Sequence, residues 1–83
     1  MDKADLQERV CNVLAKNLAV PVTDVKPESR FKEDLDADSL DLVEAVLALE
    51  EEFGLSIPEE EMEDVKTVGQ AIDLVALKLG VAA

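Results

Sequence analysis

An all-α fold is what this 83-residue sequence predicts: a four-helix bundle with three longer helices, one short helix and a long loop between the first and second. Three observations predict it. Apolar residues recur at helical spacing rather than in alternation. Capping residues stand before the periodic runs, with glycine after two of them. No run of residues reads as a strand. The length favours one domain, 1–83, near the size at which a single core becomes marginal. Phe31 and Phe53 are the only aromatic residues, so that core must be aliphatic.

Leu6, Val10, Val13, Leu14 and Leu18 mark an amphipathic helix over about 3–18. Cys11 lies at the edge of this stripe and reads as a half-buried packing residue, since no base or metal partner accompanies it. Pro21 stops the helix by pushing its predecessor out of the helical region. A loop follows from Val20 to Leu35, punctuated by Pro21, Asp24, Pro27 and Ser29. A loop of this length needs anchors, and Val22, Val25, Phe31 and Leu35 are the candidates.

Asp38 is a good N-cap for a second helix over Ser39–Phe53, with Asp41 three residues on and Gly54 as the stop. Leu42, Val46, Leu49 and Phe53 form its core stripe. Leu40, Val43 and Leu47 form a second stripe, flanked by Glu44, Glu50 and Glu51. An apolar strip framed by acids reads as a docking surface or the rim of a pocket; burial of the central helix on two sides is the alternative. Pro58 fits the first turn of a short third helix reaching about Asp64, with Glu59, Glu60 and Glu61 at its positive end. Thr67 and Gln70 form a capping box for the last helix, Val68 to about Leu79, which Gly80 ends. Its inner face is Val68, Ala71, Ile72, Val75 and Leu79.

The net charge of −12 argues against nucleic acid and anionic membrane surfaces as partners. It favours basic protein partners. The charge is segregated: from Glu33 to Val65 there are fourteen Asp or Glu and no Lys or Arg. One cysteine allows no internal disulfide, and no apolar stretch is long enough for a membrane span. Met1-Asp2-Lys3-Ala4-Asp5 does not read as a signal peptide, and the expected location is the cytoplasm.

The aspartates at 34, 36, 38 and 41 invite a calcium-loop reading, but Ser39 and Ala45 stand where such a loop needs Gly and Glu. No dedicated metal site is expected. With no His in the chain, Ser39 lacks the base that a nucleophile requires. Two readings of Ser39 remain: a residue of the helix start and nothing more, or the attachment point of a phosphate ester held at the positive helix end and installed by an outside enzyme.

Asp38-Ser39-Leu40-Asp41, followed by Leu42-Val43-Glu44, resembles the phosphopantetheine attachment motif of acyl carrier proteins. The resemblance extends through Phe31-Lys32-Glu33-Asp34-Leu35, Leu49-Glu50-Glu51-Glu52-Phe53, Ile57-Pro58-Glu59-Glu60 and Thr67-Val68, nearly the whole chain. It implies that a phosphopantetheinyl transferase esterifies Ser39 with a 4′-phosphopantetheine arm, whose thiol carries growing acyl chains. The protein itself would be no enzyme. It would be a monomer presenting its cargo to fatty acid synthesis enzymes with basic docking patches. The implied partner-binding positions are Asp38, Leu40, Asp41, Val43, Glu44, Leu47, Glu50, Glu51, Ile57, Glu59 and Glu63. The implied acyl-pocket lining is Val43, Val46, Leu47, Ile57, Met62 and Val68. On this reading Glu44→Lys and Glu50→Lys are both expected to weaken docking with little loss of fold.

A carrier for polyketide or specialised lipid assembly is an alternative with the same chemistry. An acidic helical interaction module whose Ser39 stays unmodified is an alternative of another kind. Two positions depart from the family pattern. Asp36 stands where family members commonly have glycine, and Ala19 stands where a glycine often closes the first helix. Because a left-handed alanine is strained, Ala19 is expected to give a different helix ending.

Overall fold

The computed structural model describes residues 2–80; Met1 and residues 81–83, the two ends of the expected 1–83 domain, lie outside them. The elements are α1 (Lys3–Leu18), a single 3-10 turn (Val22–Asp24), α2 (Ser39–Phe53), α3 (Glu59–Met62) and α4 (Val68–Leu79). α1 packs against both α2 and α4. Among the described residues the nearest approach to a strand is an isolated bridge between Arg30 and Thr67. No described helix is long and apolar enough to cross a membrane.

The core is aliphatic apart from buried Phe31, with Phe53 packed against it. Leu6, Val10 and Leu14 of α1, Leu49 of α2, and Val68 and Val75 of α4 are its most deeply buried large side chains. Cys11 is more buried than its edge position suggested, 8% exposed, and burial raises its thiol pKa. On α4 the inner face is completed by Ala76 rather than Leu79, which is exposed. The helix ends after Leu79, so its last turn overhangs the core.

α1 ends differently from the sequence expectation. Ala19 does adopt the left-handed conformation, with φ 56 and ψ 44. Its N–H and that of Val20 both donate to the Ala15 carbonyl, the latter at 3.1 Å. α2 closes in the same way: Gly54 has φ 63, and the Gly54 and Leu55 amides meet at the Glu50 carbonyl. The strain at Ala19 is offset because the reversal satisfies two amides and turns Val20 back onto the core. Left-handed strain of about 1–2 kcal/mol exceeds the roughly 0.4–1 kcal/mol by which glycine's freedom favours the unfolded chain. Ala19→Gly should therefore stabilise the fold by about 0.5–1 kcal/mol and raise its melting temperature by roughly 2–8 °C. Thermal unfolding followed by circular dichroism checks this, and a lower melting temperature would contradict it.

The long loop is pinned, though by a different set of contacts. Val25, Phe31 and Leu35 are buried as anchors, and so is Ala37, but Val22 is exposed on the 3-10 turn. Buried Ser29 donates its hydroxyl to the Asp24 carbonyl at 3.0 Å and accepts the Lys26 N–H at 3.1 Å, which folds the loop on itself. The loop then caps α4. The Ser29 carbonyl accepts the Val68 N–H at 2.9 Å and the Pro27 carbonyl accepts the Gly69 N–H at 2.8 Å. These are the first amides of α4, which have no partner inside their own helix. Thr67 and Gln70 supply the expected capping box beside them.

The third helix is shorter than the sequence suggests. Pro58 precedes it in an extended conformation, and regular helix ends at Met62, with turns carrying the chain through Glu63 and Asp64. Four residues with none buried are held from outside. Buried Ile57 and Val65 flank the segment, and Lys78 of α4 pairs with Glu61 at 2.7 Å.

Candidate functional site

The approach to α2 is built by loop residues that face the core. Buried Ala37 donates its N–H to the Phe31 carbonyl at 2.8 Å, and Asp36 before it has φ 55. Aspartate tolerates that left-handed position better than most residues, which is how the chain manages without glycine there. Asp34 is tied back separately: its carboxylate accepts the Arg30 N–H at 2.8 Å and the guanidinium Nε at 3.2 Å. The Arg30 backbone amide and guanidinium hold the Asp34 pKa below the ordinary carboxylate value.

Asp38 is the N-cap. Its carboxylate accepts the Asp41 N–H at 2.9 Å, and the Asp41 carboxylate accepts the Asp38 N–H at 3.3 Å. This reciprocal box spares Ser39 from capping work. Ser39 is the first residue of α2 and is exposed; among the described residues its hydroxyl has no hydrogen-bond partner. The Ser39 and Leu40 amides likewise have no acceptor among the described residues. The contrast with α4 is direct: there the loop covers the first amides, whereas here they face outward with the helix's positive end.

Beside Ser39 lies a cavity of about 520 Å³ between the start of α2, the loop and the α3 segment. Phe31, Leu42, Val43, Met62 and Val65 give it apolar walls. Lys32, Glu33, Glu59, Glu63 and Lys66 supply its charged lining. Ser39, Leu42 and Val43 meet there because residues three and four apart share one helix face.

The second stripe of α2 is solvent-facing, which decides against burial on two sides: Leu40 is 66% exposed, Val43 38% and Leu47 54%. Glu44 and Glu51 are exposed beside it, and Glu50 is half-buried. Among the described residues, none of these three carboxylates has a basic partner. Other acids are paired away from the stripe. Glu52 meets Arg9 at 2.6 Å, with that guanidinium 5.0 Å from the Phe53 ring centre, and Asp73 meets Lys3 at 2.9 Å. α2 thus presents an apolar strip framed by uncompensated negative charge. Asp38 is exposed and Asp41 half-buried at its start. Glu59 and Glu63 are exposed across the cavity.

Ile57 does not join that exposed face. Its side chain is 8% exposed, and its N–H donates to the Glu50 carboxylate at 3.0 Å. Glu50→Lys would remove this acceptor as well as reverse a charge, so only Glu44 and Glu51 offer clean charge reversals. Of the six residues proposed to line a pocket, Val43 and Met62 line the cavity. Val46 and Val68 are buried in the core, Leu47 is exposed outside the cavity, and Ile57 is a buried residue of the α2–α3 connection that does not line it. Sequence reasoning missed Leu42, Phe31 and Val65 as lining residues. The signal for Leu42 was its position three residues after Ser39; Phe31 and Val65 carried none, because they reach the cavity from the long loop and from the α3–α4 connection.

A phosphodiester on Ser39 fits this environment. The hydroxyl is accessible, two amides point outward at the positive helix end, and the neighbouring cavity has apolar walls. The model of the phosphopantetheine attachment site family matches residues 8–75, which include Ser39 and most of the chain. The sequence is 47% identical over 75 residues to an acyl carrier protein of Rubrobacter xylanophilus, an alignment covering 90% of this chain and 93% of that protein. Attachment-site geometry, family match and near full-length identity agree: the chain belongs to the phosphopantetheine attachment-site family, the family of the acyl carrier proteins.

Proposed function

We propose that this chain carries acyl groups on a 4′-phosphopantetheine arm esterified to Ser39 and presents them, in the cytoplasm, to the enzymes of fatty acid synthesis, catalysing no step itself. The observation that carries the reading is Ser39 itself: an exposed, unbonded hydroxyl at an uncovered helix N-terminus beside a cavity with apolar walls. The arm supplies a thiol that holds the acyl group as a thioester. The chain's own residues do the rest. Asp38 and Asp41 lock the first turn so that Ser39 is displayed in one place. The Ser39 and Leu40 amides offset part of the phosphodiester charge, by about 0.3–1 kcal/mol at an exposed site. Phe31, Leu42, Val43, Met62 and Val65 offer the cargo a surface away from water.

The chain has no histidine to activate Ser39, so in this reading the deprotonating group, the metal and the coenzyme A donor belong to the transferase. Incubation with coenzyme A, magnesium and a phosphopantetheinyl transferase should add the mass of one arm to the intact protein. No added mass with several competent transferases would leave the unmodified interaction module as the surviving reading.

Leu40, Val43 and Leu47, framed by Glu44, Glu50 and Glu51, form the surface on which a basic partner docks in this reading. Glu44→Lys or Glu51→Lys should raise the transferase KM roughly three- to tenfold at low salt. Unfolding stability should stay within about 0.5 kcal/mol of the parent. The same gap should narrow as salt is added, because exposed charges are screened. An unchanged KM in both variants would remove the steering role.

A further inference from the structure

Glu50, near the end of α2, gathers three amides of the chain that follows it. Its carbonyl accepts the N–H groups of Gly54 and Leu55, the latter at 3.1 Å, and its carboxylate Oε2 accepts the N–H of Ile57 at 3.0 Å. The first two close the helix. The third is different in kind: a side chain with no basic partner among the described residues holds the backbone of a buried residue. Ile57 is followed by Pro58, which has no N–H to offer, and then by α3, a four-residue helix with no buried residue. The Glu50–Ile57 bond therefore ties down the backbone that leads into α3. Glu59, Met62 and Glu63 of that segment make one wall of the cavity beside Ser39.

We propose that Glu50 is a positioning residue that couples docking on α2 to the width of this cavity. The proposal rests on the reading of α2 as the docking face. A partner guanidinium engages both oxygens of a carboxylate in a bidentate pair. When it turns the Glu50 carboxylate outward, the Ile57 N–H loses its acceptor and the segment leading into α3 loosens. Glu44 and Glu51 attract the same partner, but no backbone amide among the described residues depends on their carboxylates. The partner's differential affinity for the outward Glu50 is what shifts the population, since a ligand moves an equilibrium only by preferring one state.

Amide hydrogen exchange at Ile57, measured by NMR on the unmodified chain at low salt with and without hexa-arginine, tests this directly. In Glu50→Ala the Ile57 amide should exchange at least tenfold faster while the Leu49 amide keeps its protection. Glu50→Gln retains a neutral acceptor, so its Ile57 protection should stay near the parent value and not respond to hexa-arginine. In the parent and in Glu51→Gln, hexa-arginine should speed Ile57 exchange about tenfold. Ile57 exchange unmoved by Glu50→Ala would overturn the tether. Ile57 exchange unmoved by hexa-arginine in the parent would overturn the coupling, as would Leu49 and Ile57 rising together. None of these outcomes bears on attachment at Ser39, which the intact mass alone decides.

Discussion

Ser39→Ala should abolish attachment of the arm completely while leaving the fold as stable as the parent. The two halves of this expectation come from the same geometry. The Ser39 hydroxyl has no hydrogen-bond partner among the described residues, and the capping work is done by Asp38 and Asp41 on either side of it. Alanine is the strongest helix former, so replacing an exposed, unbonded serine in the first turn should change stability by no more than about 0.5 kcal/mol. Asp38→Ala, by contrast, opens the capping box and should cost about 1 kcal/mol. Intact mass after incubation with coenzyme A, magnesium and a transferase reads the first half, and thermal unfolding reads the second. The chain has two other serines. Ser29 is buried with its hydroxyl in two hydrogen bonds, and Ser56 lies between α2 and α3, away from any long helix start. An arm added to Ser39→Ala would therefore refute the assignment of the site.

Gly69→Val should destabilise the fold although position 69 is not one of the large core residues. A Cβ at position 69 would lie 2.9 Å from the Pro27 carbonyl oxygen and 3.6 Å from its carbonyl carbon. That oxygen is the acceptor of the Gly69 N–H at 2.8 Å, so the atom that makes room necessary is also the one that holds the loop to α4. Neither backbone can withdraw without losing the bond. Overpacking of this kind costs about 1–3 kcal/mol. Alanine recovers up to about 1 kcal/mol through its helix preference over glycine, and valine recovers less. Gly69→Val should thus destabilise by about 1–2.5 kcal/mol and lower the melting temperature by roughly 4–20 °C, with Gly69→Ala in between. Thermal unfolding of the three proteins would refute the argument if all melted together.

The helices were legible because their signals are local. Spacing of apolar residues, Asp38 and Thr67 as caps, and Gly54 and Gly80 as stops mark α2 and α4 with no knowledge of what they touch. Ser39 was legible for the same reason, as a residue at a helix start within a block of acids. The exceptions are physical. Ala19 was expected to avoid the left-handed region, yet it enters it because the reversal satisfies two amides and returns Val20 to the core. Pro58 suited the first turn of α3, yet it precedes that helix. A four-residue helix has too few internal hydrogen bonds to set its own boundaries, so its flanks and Lys78 set them.

The face of α2 opposite the core shows the limit most clearly. Periodicity shows that Leu40, Val43 and Leu47 share a stripe, but not whether another helix covers it. In the fold α1 packs against α2 on the other side, and the stripe stays open. Ile57 carried no local sign that its amide would be taken by Glu50, seven positions earlier.

The helices, the acid segregation and the serine at the head of α2 are written in short stretches of chain, because each depends on neighbours within a few residues. Which helix start stays uncovered depends instead on how distant segments pack. The loop that carries Pro27 and Ser29 covers the first amides of α4 and leaves those of α2 facing outward. It also brings Phe31 to a cavity lined by Leu42, Val43, Met62 and, from the α3–α4 connection, Val65. Those meetings join residues far apart in the chain, and they exist because buried backbone groups must find partners, which only the assembled core supplies.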